Sequence, residues 1–282
     1  MRRSDRLVAV AFGLAATLLV AFVLFPIVAV FVRVPPATLL SQLRSKGALD
    51  ALAVSLKTTT IALALILFLG TPAAYLLGTR SFRGSIALET ILEVPLVLPP
   101  AVAGIALLAA FGRGGLLGRP LRAMGIEVGF TQDAVVMALI FVAMPFYVRQ
   151  AVAAFGSVDR QMLAASRTLG AGQGETFVRV AVPLAAKGLG AGAALAFARA
   201  LGEFGATIMF AGNLPGSTQT LPLAIYAQYS ADNLPGALAL AALLVAVSVG
   251  LLVGVKLILR AGRADKERAG WTAFSSSRSG IA

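Results

Sequence analysis

The segment Leu163-Ala164-Ala165-Ser166-Arg167-Thr168-Leu169-Gly170, which leads on to Val180-Ala181-Val182-Pro183, differs from the chain on either side of it. It lies between two long apolar stretches and is itself polar, helical in composition and rich in glycine. Asp159 is placed to cap the N-terminus of a helix, and Gly170 accepts the left-handed geometry that ends one. A second helical stretch begins at Thr176, and Pro183 interrupts it. We therefore predict a helix–turn–helix over residues 159–183, outside the apolar surroundings of its neighbours.

The composition indicates a membrane protein with several spans. Of the 282 residues, 59% are hydrophobic and 13% are charged, whereas soluble domains are about 45–50% apolar. Backbone amides need internal partners in hydrocarbon, and the apolar runs are too long and uniform for barrel strands, so the spans are helices. The predicted fold class is all-α, a polytopic membrane protein of six transmembrane helices. The six apolar stretches are 7–32, 53–77, 86–111, 134–155, 188–211 and 235–259.

The first of these stretches follows Met1-Arg2-Arg3 and resembles a signal peptide at first sight. Its apolar run is longer than the core of a signal peptide, and no small-residue cleavage site stands out, so a membrane anchor is the better interpretation.

The basic residues predict the orientation. The net charge is +12, and lysine and arginine are retained on the cytoplasmic side of membranes, next to anionic lipid. With a cytoplasmic N-terminus, sixteen of the 24 basic residues fall inside, seven fall outside and Arg199 lies within a span. We therefore expect a multi-pass protein of the cell (inner) membrane with both termini and the 159–183 loop in the cytoplasm. The charge then serves contact with membrane lipid, and nucleic acid is not a partner.

Several kinds of chemistry are excluded by composition. The chain has no cysteine and no histidine, which removes thiolate chemistry, the commonest metal ligand and the commonest general base. Gly170, Gly172 and Gly174 suggest a phosphate cradle, but no strand precedes them and no glycine-lysine-serine/threonine sequence follows. We expect no cofactor, no metal and no catalytic residue. If the chain performs active transport, ATP is hydrolysed by another subunit.

The loop resembles a motif of the permease subunits of binding-protein-dependent ABC importers. That motif reads Glu-Ala-Ala, three residues, Gly, nine residues, Ile, any residue, Leu-Pro. Here residues 164–166 occupy the Glu-Ala-Ala positions, Gly170 follows after three residues, and Val180, Val182 and Pro183 stand at the required distances. The glutamate is missing, serine replaces an alanine, and valines replace isoleucine and leucine.

Three further segments extend the resemblance to nearly all of the membrane region. Residues 197–207, 212–226 and 95–104 are similar to segments of molybdate-type permeases, to which sulfate permeases are close. The resemblance implies a type I ABC importer fold and a permease for an oxyanion, most often molybdate, with sulfate/thiosulfate or tungstate as alternatives. It also implies three partners: a second copy of the chain in a homodimer, cytoplasmic ABC ATPase subunits, and an extracytoplasmic solute-binding protein.

In such an importer the 159–183 loop docks on the ATPase. The residues expected to couple the two subunits are Ala164, Ala165, Ser166, Arg167, Thr168, Leu169, Gly170, Ala171, Gly172 and Pro183. Two functions from other classes stay open at this point: a secondary transporter driven by an ion gradient, and a membrane-embedded enzyme such as a lipid transferase.

The domain organisation follows from these spans. Residues 1–50 hold the cytoplasmic N-terminus, the first transmembrane helix and an outer loop. Residues 51–260 form the permease domain. Residues 261–282 are a polar, serine-rich cytoplasmic tail, which we expect to be disordered.

Charges and prolines inside the spans mark a pathway or a gate. Arg199 and Glu203 are four residues apart, so they share a helix face and can pair. Pairing alone would allow insertion, because an unpaired charge at mid-bilayer costs about 2.5–3.5 kcal/mol; the alternative is that the pair also faces the pathway. Further candidates are Glu93 and the prolines of the third span, which free backbone carbonyls and kink the helix. These prolines are Pro95, Pro99 and Pro100.

Overall fold

A computed structural model describes residues 3–251 and 253–254 of the chain. The described part is helical, and a single π-helical turn, Phe177–Ala181, joins α9 to α10. The helices are α1 (Arg3–Arg33), α2 (Pro36–Leu43), α3 (Lys46–Thr79), α4 (Ser85–Val97), α5 (Pro100–Phe111), α6 (Gly118–Ala123), α7 (Gln132–Gly156), α8 (Arg160–Thr168), α9 (Gln173–Thr176), α10 (Val182–Leu201), α11 (Gly205–Ala211), α12 (Leu221–Ser230) and α13 (Leu234–Leu251). The tail predicted for residues 261–282 lies outside the described residues.

Helix α7 is the centre of the fold and packs against both α3 and α10. Small residues permit this close packing. A Cβ atom added to Gly78 would lie 2.6 Å from the carbonyl oxygen of Val152. Tyr147 of α7 is buried between glycines of α3 and α10, and its hydroxyl lies 2.6 Å from Thr71 Oγ1. Close backbone approach replaces the hydrophobic driving force that hydrocarbon surroundings lack.

Within the described residues, five helices are long and apolar enough to cross a membrane. They are Val10–Arg33, Lys46–Thr79, Gln132–Gly156, Gln173–Leu201 and Leu234–Leu251. Many large apolar side chains are exposed along them, as a hydrocarbon environment requires. In the most apolar part of the first span, no residue is buried against the rest of the described chain.

The prediction of one kinked helix over 86–111 was wrong. The chain is helical as α4 and α5, and at Leu98 and Pro99 its direction bends by 115° from a straight line. Two successive prolines cause this, because Pro99 forces Leu98 into extended backbone and Pro100 starts a new helix. Thirteen and twelve residues at that angle place the outer ends about 21 Å apart. A hydrocarbon core is about 30 Å thick, so this pair makes a sixth span only if its flanking residues also enter the membrane.

The prediction for the fifth span also needs correction. Its helix begins at Gln173 rather than within the apolar run, and it ends at Leu201 rather than at Ala211. Gly202, Glu203 and Phe204 separate it from α11. The second helix of the predicted helix–turn–helix is therefore the start of a membrane span.

Candidate functional site

The first helix of the 159–183 loop has the two ends that the sequence predicted. Asp159 caps α8 by accepting a 2.8 Å hydrogen bond from the Gln161 amide. Gly170 follows the helix with φ +92°. The Gly170 amide donates to Arg167 O at 3.0 Å, and the Ala171 amide donates to Ser166 O at 3.1 Å. These two bonds are the Schellman arrangement, which satisfies the last carbonyls of a helix.

A part-buried contact between two hydroxyl groups holds the turn against the second helix. Ser166 Oγ and Thr176 Oγ1 are 3.1 Å apart, and Thr176 is fully buried. Leu163 projects from α8 into the main apolar core. The loop is thus an ordered unit with its own side-chain contacts, and no pattern in the sequence predicted the serine–threonine hydrogen bond.

Pro183 does not interrupt the second helix, contrary to the prediction. Phe177–Ala181 is a π-helical turn, and the Val182 amide donates to Phe177 O, five residues earlier. Pro183 then lies in the first turn of α10. The wider turn accommodates the ring and the missing N–H at that position. A helix therefore runs without a gap from the loop into the membrane span.

Two large apolar side chains of the loop are exposed, one near each end of α8. Leu169 is 88% exposed and Met162 is 51% exposed. Most of the predicted coupling residues lie on the same exposed loop, while Ser166 and Ala171 are partly covered. The loop therefore presents most of these residues to the surroundings rather than to the rest of the chain.

Three aromatic rings connect this loop to two other spans. Tyr75 of α3 lies 5.4 Å from the Phe155 ring of α7 and 4.9 Å from the Phe177 ring of the π-helical turn, between ring centroids. Phe155 and Phe177 are 6.2 Å apart. In addition, Arg80 Nη2 donates to Gln173 Oε1 at 3.0 Å. The loop region therefore contacts the ends of α3 and α7 and also continues into α10. Sequence reasoning missed this aromatic cluster, although each ring stands near the end of a span.

A buried ion pair marks the end of α10. Arg199 Nη2 lies 2.7 Å from Glu203 Oε2, so the predicted pairing is confirmed. The Glu203 side chain is 1% exposed, and its Oε1 also accepts the Ala206 amide at 2.8 Å. Glu203 lies in the helix break, not on the face of a continuous helix as predicted. It fixes the first turn of α11 and the arginine at the same time.

The two helix breaks meet at this point. A Cβ atom on Gly205 would lie 2.7 Å from Pro100 Cβ, and one on Gly104 would lie 2.6 Å from Ala206 O. Helices α5 and α11 therefore pack with almost no space between their backbones. Pro100 follows Pro99 at the first break, and its contact partner Gly205 is two residues beyond Glu203 at the second break. Irregular backbone at membrane depth is tolerated where it is covered by protein or lines a cavity.

Two other predicted pathway residues lie elsewhere. Glu93 pairs with Arg149 at 3.7 Å; the Arg149 side chain is 73% exposed and the Glu93 side chain is partly covered, at 38%. Glu93 is six residues, about 9 Å along a helix axis, before the break at Pro99. Pro95 is buried inside α4 and does not end it. Of the predicted pathway residues, Arg199 contacts Glu203, and Pro100 contacts Gly205, two residues beyond Glu203 in the chain.

The family model described as the binding-protein-dependent transport system inner membrane component matches residues 70–261. The chain belongs to this permease family. It is a multi-pass protein of the inner membrane and a transport subunit rather than an enzyme, as predicted.

Relatives of the permease share its sequence over most of its length. It is 43% identical to the molybdenum transport system permease protein ModB of Mycobacterium tuberculosis over 238 residues, which are 84% of this chain and 89% of that protein. It is 40% identical to the ModB protein of Escherichia coli K12 over 223 residues, 78% of this chain and 96% of that one. The probable transport system permease protein NifC of Clostridium pasteurianum is 40% identical over 238 residues, 84% of this chain and 83% of that protein.

Solved structures show that the permease has the predicted fold. A chain of a bacterial alginate ABC transporter in complex with a pentasaccharide-bound periplasmic protein matches with a TM-score of 0.72 at 13% identity, covering 90% of this chain and 93% of that chain. A chain of the inward-facing MetNI methionine ABC transporter matches with a TM-score of 0.60 at 19% identity, covering 77% and 98%. The predicted all-α fold of a type I importer permease is confirmed.

Proposed function

We propose that this permease carries an oxyanion, molybdate before tungstate, sulfate or thiosulfate, into the cell in an ATP-driven importer. The observation that carries the proposal is the likeness to molybdenum transport permeases at about 40% identity over most of the chain. Molybdenum also appears in the name of a probable ABC transporter permease protein of Haloferax volcanii, which is 37% identical over 85% of this chain. The proposed substrate class thus rests on relatives from several organisms.

An anion of this kind requires a source of energy. An inside-negative membrane opposes its entry by about 2.3 kcal/mol per charge per 100 mV, so a dianion faces about 4.6 kcal/mol. The chain shows no nucleotide-binding motif in its sequence. Two cytoplasmic ATPase subunits supply the free energy in this proposal, and a solute-binding protein delivers the anion from outside. The permease acts as a homodimer, with the pathway between the two copies.

In this proposal the 159–183 loop couples ATP hydrolysis in the ATPase to movement of the permease helices. Its exposed Leu169 and neighbouring residues 164–172 dock in the ATPase. The ordered turn and the continuous helix into α10 support this assignment, because a rigid connection is needed to transmit a displacement. The aromatic cluster of Tyr75, Phe155 and Phe177 spreads the same displacement to α3 and α7. Arg199, Glu203, Pro99 and Pro100 are the proposed gate.

Both termini and the loop face the cytoplasm in this proposal, with the α4–α5 pair as one crossing. The distribution of basic residues supports this orientation. Membrane lipid contacts the basic residues at the cytoplasmic side.

The test is uptake by proteoliposomes that contain the permease, its ATPase and its binding protein. ATP supplied on the side of the membrane where the ATPase is bound should drive uptake of radiolabelled molybdate against a gradient. The permease alone should drive none. Competition by tungstate, sulfate and thiosulfate ranks the anions. Gradient-driven uptake without the ATPase would show a secondary transporter instead, and preferred competition by sulfate would move the substrate to that anion.

A further inference from the structure

Glu203 is held in place more firmly than an ion pair alone would hold it. One carboxylate oxygen faces Arg199, the other accepts the Ala206 amide, and the side chain is 1% exposed. Arg199 is different, because 27% of its side chain is exposed. A guanidinium carries five N–H donors, more than a single carboxylate can use. The pair therefore consists of a fixed, covered anion and a cation with an open side.

The open side of Arg199 does not suit lipid. Arg199 lies twelve residues beyond Lys187 on the same helix, about 18 Å further along the axis. In the proposed orientation Lys187 stands at the cytoplasmic edge of the hydrocarbon core. A residue about 18 Å beyond it along the helix is well inside a core that is about 30 Å thick. Charged side chains at such depth face the protein interior or a water-filled cavity, since contact with lipid is costly. On its other side the guanidinium lies 6.0 Å from the centre of the Phe146 ring. The exposed edge therefore faces a pathway.

We infer that Arg199 is the residue that contacts the oxyanion at the centre of the membrane, and that Glu203 is the residue that positions it. This inference rests on the proposed function. Arginine matches the geometry of planar and tetrahedral oxyanions through its forked donors. The anion binds to the open edge of the guanidinium while Glu203, bonded to the backbone, stays on the opposite edge.

The paired carboxylate has a purpose in transport. Conduction requires a site that attracts the ion enough for entry and holds it weakly enough for release. An unpaired arginine at this depth in the membrane would retain a dianion. Glu203 offsets part of the positive charge, so the site stays attractive and releases its cargo. The same carboxylate fixes the start of α11, so the strength of the site is linked to the closure of the helix break.

Charge deletion in two steps separates this role from simple charge balance. Arg199→Gln leaves Glu203 buried without its partner, whereas Arg199→Gln with Glu203→Gln leaves no unpaired charge. If the pair only allows insertion, the double variant transports normally. If Arg199 contacts the anion, the double variant inserts and assembles but loses about tenfold or more of its uptake, as expected for the loss of a hydrogen bond to a charged group. Normal uptake by the double variant would overturn the inference.

The matched control is the exposed pair of Arg113 and Glu127, which are 2.9 Å apart in an outer loop. Arg113→Gln with Glu127→Gln deletes the same two charges and should leave uptake within about twofold, as exposed ion pairs contribute little. Wild-type complex without ATP-driven uptake would contradict the proposed function itself. Wild-type uptake with an unaffected double variant at 199 and 203 would contradict only the role of Arg199.

A chemical rescue tests the charge directly, because the native chain has no cysteine. Arg199→Cys is assembled in the complex and treated with either a cationic aminoethyl thiosulfonate or a neutral methyl thiosulfonate. The cationic adduct should restore at least about threefold more uptake than the neutral one, and saturating molybdate should slow its formation. Equal uptake after both reagents, or no protection by the anion, would overturn the inference even if the glutamine variants fail to assemble.

Discussion

Gly205 and Pro100 touch so closely that a Cβ atom on the glycine would lie 2.7 Å from the Cβ of the proline. The contact joins the break between α4 and α5 to the break between α10 and α11. Both partners are rigid, because one is backbone and the other is a ring. A movement of α11 must therefore be shared by α5.

We expect Gly205→Ala to impair transport. The added methyl group forces the two breaks apart, and overpacking of this kind costs about 1–3 kcal/mol. Uptake should fall by about tenfold, in line with that cost. The control is Gly47→Ala, because nothing lies within 4 Å of a Cβ at Gly47. Transport by Gly205→Ala equal to that of Gly47→Ala would show that the contact does not matter.

Gly170→Ala should loosen the 159–183 loop. At φ +92° an alanine is strained by about 1–2 kcal/mol, so the turn after α8 rearranges. ATP-driven uptake and copurification with the ATPase should both decrease. Gly170→Asn should retain more of each, since asparagine tolerates left-handed backbone. Gly174→Ala is the control, because Gly174 lies in α9 outside the docking residues and nothing lies within 4 Å of a Cβ there. An effect of Gly174→Ala as large as that of Gly170→Ala would refute the conformational explanation.

The aromatic cluster should transmit movement rather than bind the ATPase. Tyr75→Ala removes the ring between Phe155 and Phe177, at a cost of about 2 kcal/mol for a half-covered side chain. The ATPase should still copurify, while uptake per ATP hydrolysed falls by several-fold. Tyr75→Phe keeps the ring and should behave as wild type. An unchanged ratio of uptake to hydrolysis in Tyr75→Ala would be evidence against transmission through these rings.

The orientation of the α4–α5 pair can be measured with single cysteines. Ser81 precedes α4 and Leu116 follows α5, and both are exposed. If the pair is one crossing, Ser81→Cys reacts with an impermeant maleimide only from the cytoplasmic side and Leu116→Cys only from outside. Labelling of both from one side would indicate a re-entrant pair, and the proposed orientation of the termini would then need a different number of spans.

Local rules predicted part of this structure correctly. Asp159 and Gly170 begin and end α8 as their residue types require, and Arg199 pairs with Glu203 as their spacing allowed. Such features depend on a few neighbouring residues. The same kind of rule failed at Pro183, because a π-helical turn before it absorbs the proline.

Other features depend on contacts that sequence distance hides. The break at residues 202–204 is fixed by the Glu203 carboxylate and by packing against Pro100, which is about a hundred residues away in the chain. The hydropathy of 188–211 is continuous across that break, so composition favoured one helix. The cluster of Tyr75, Phe155 and Phe177 likewise forms only once three spans are assembled.

The central claim is that the ATPase moves the helix breaks through the 159–183 loop. Gly202→Cys places a reporter in the break of an otherwise cysteine-free chain. Its rate of reaction with a water-soluble thiol reagent is measured in the complex, with and without ATP under non-hydrolysing conditions. We predict that ATP changes the rate several-fold in the complex and that Gly170→Ala in the same chain abolishes the change. An unchanged rate in a complex that transports, or an equal response in permease without ATPase, would contradict the account.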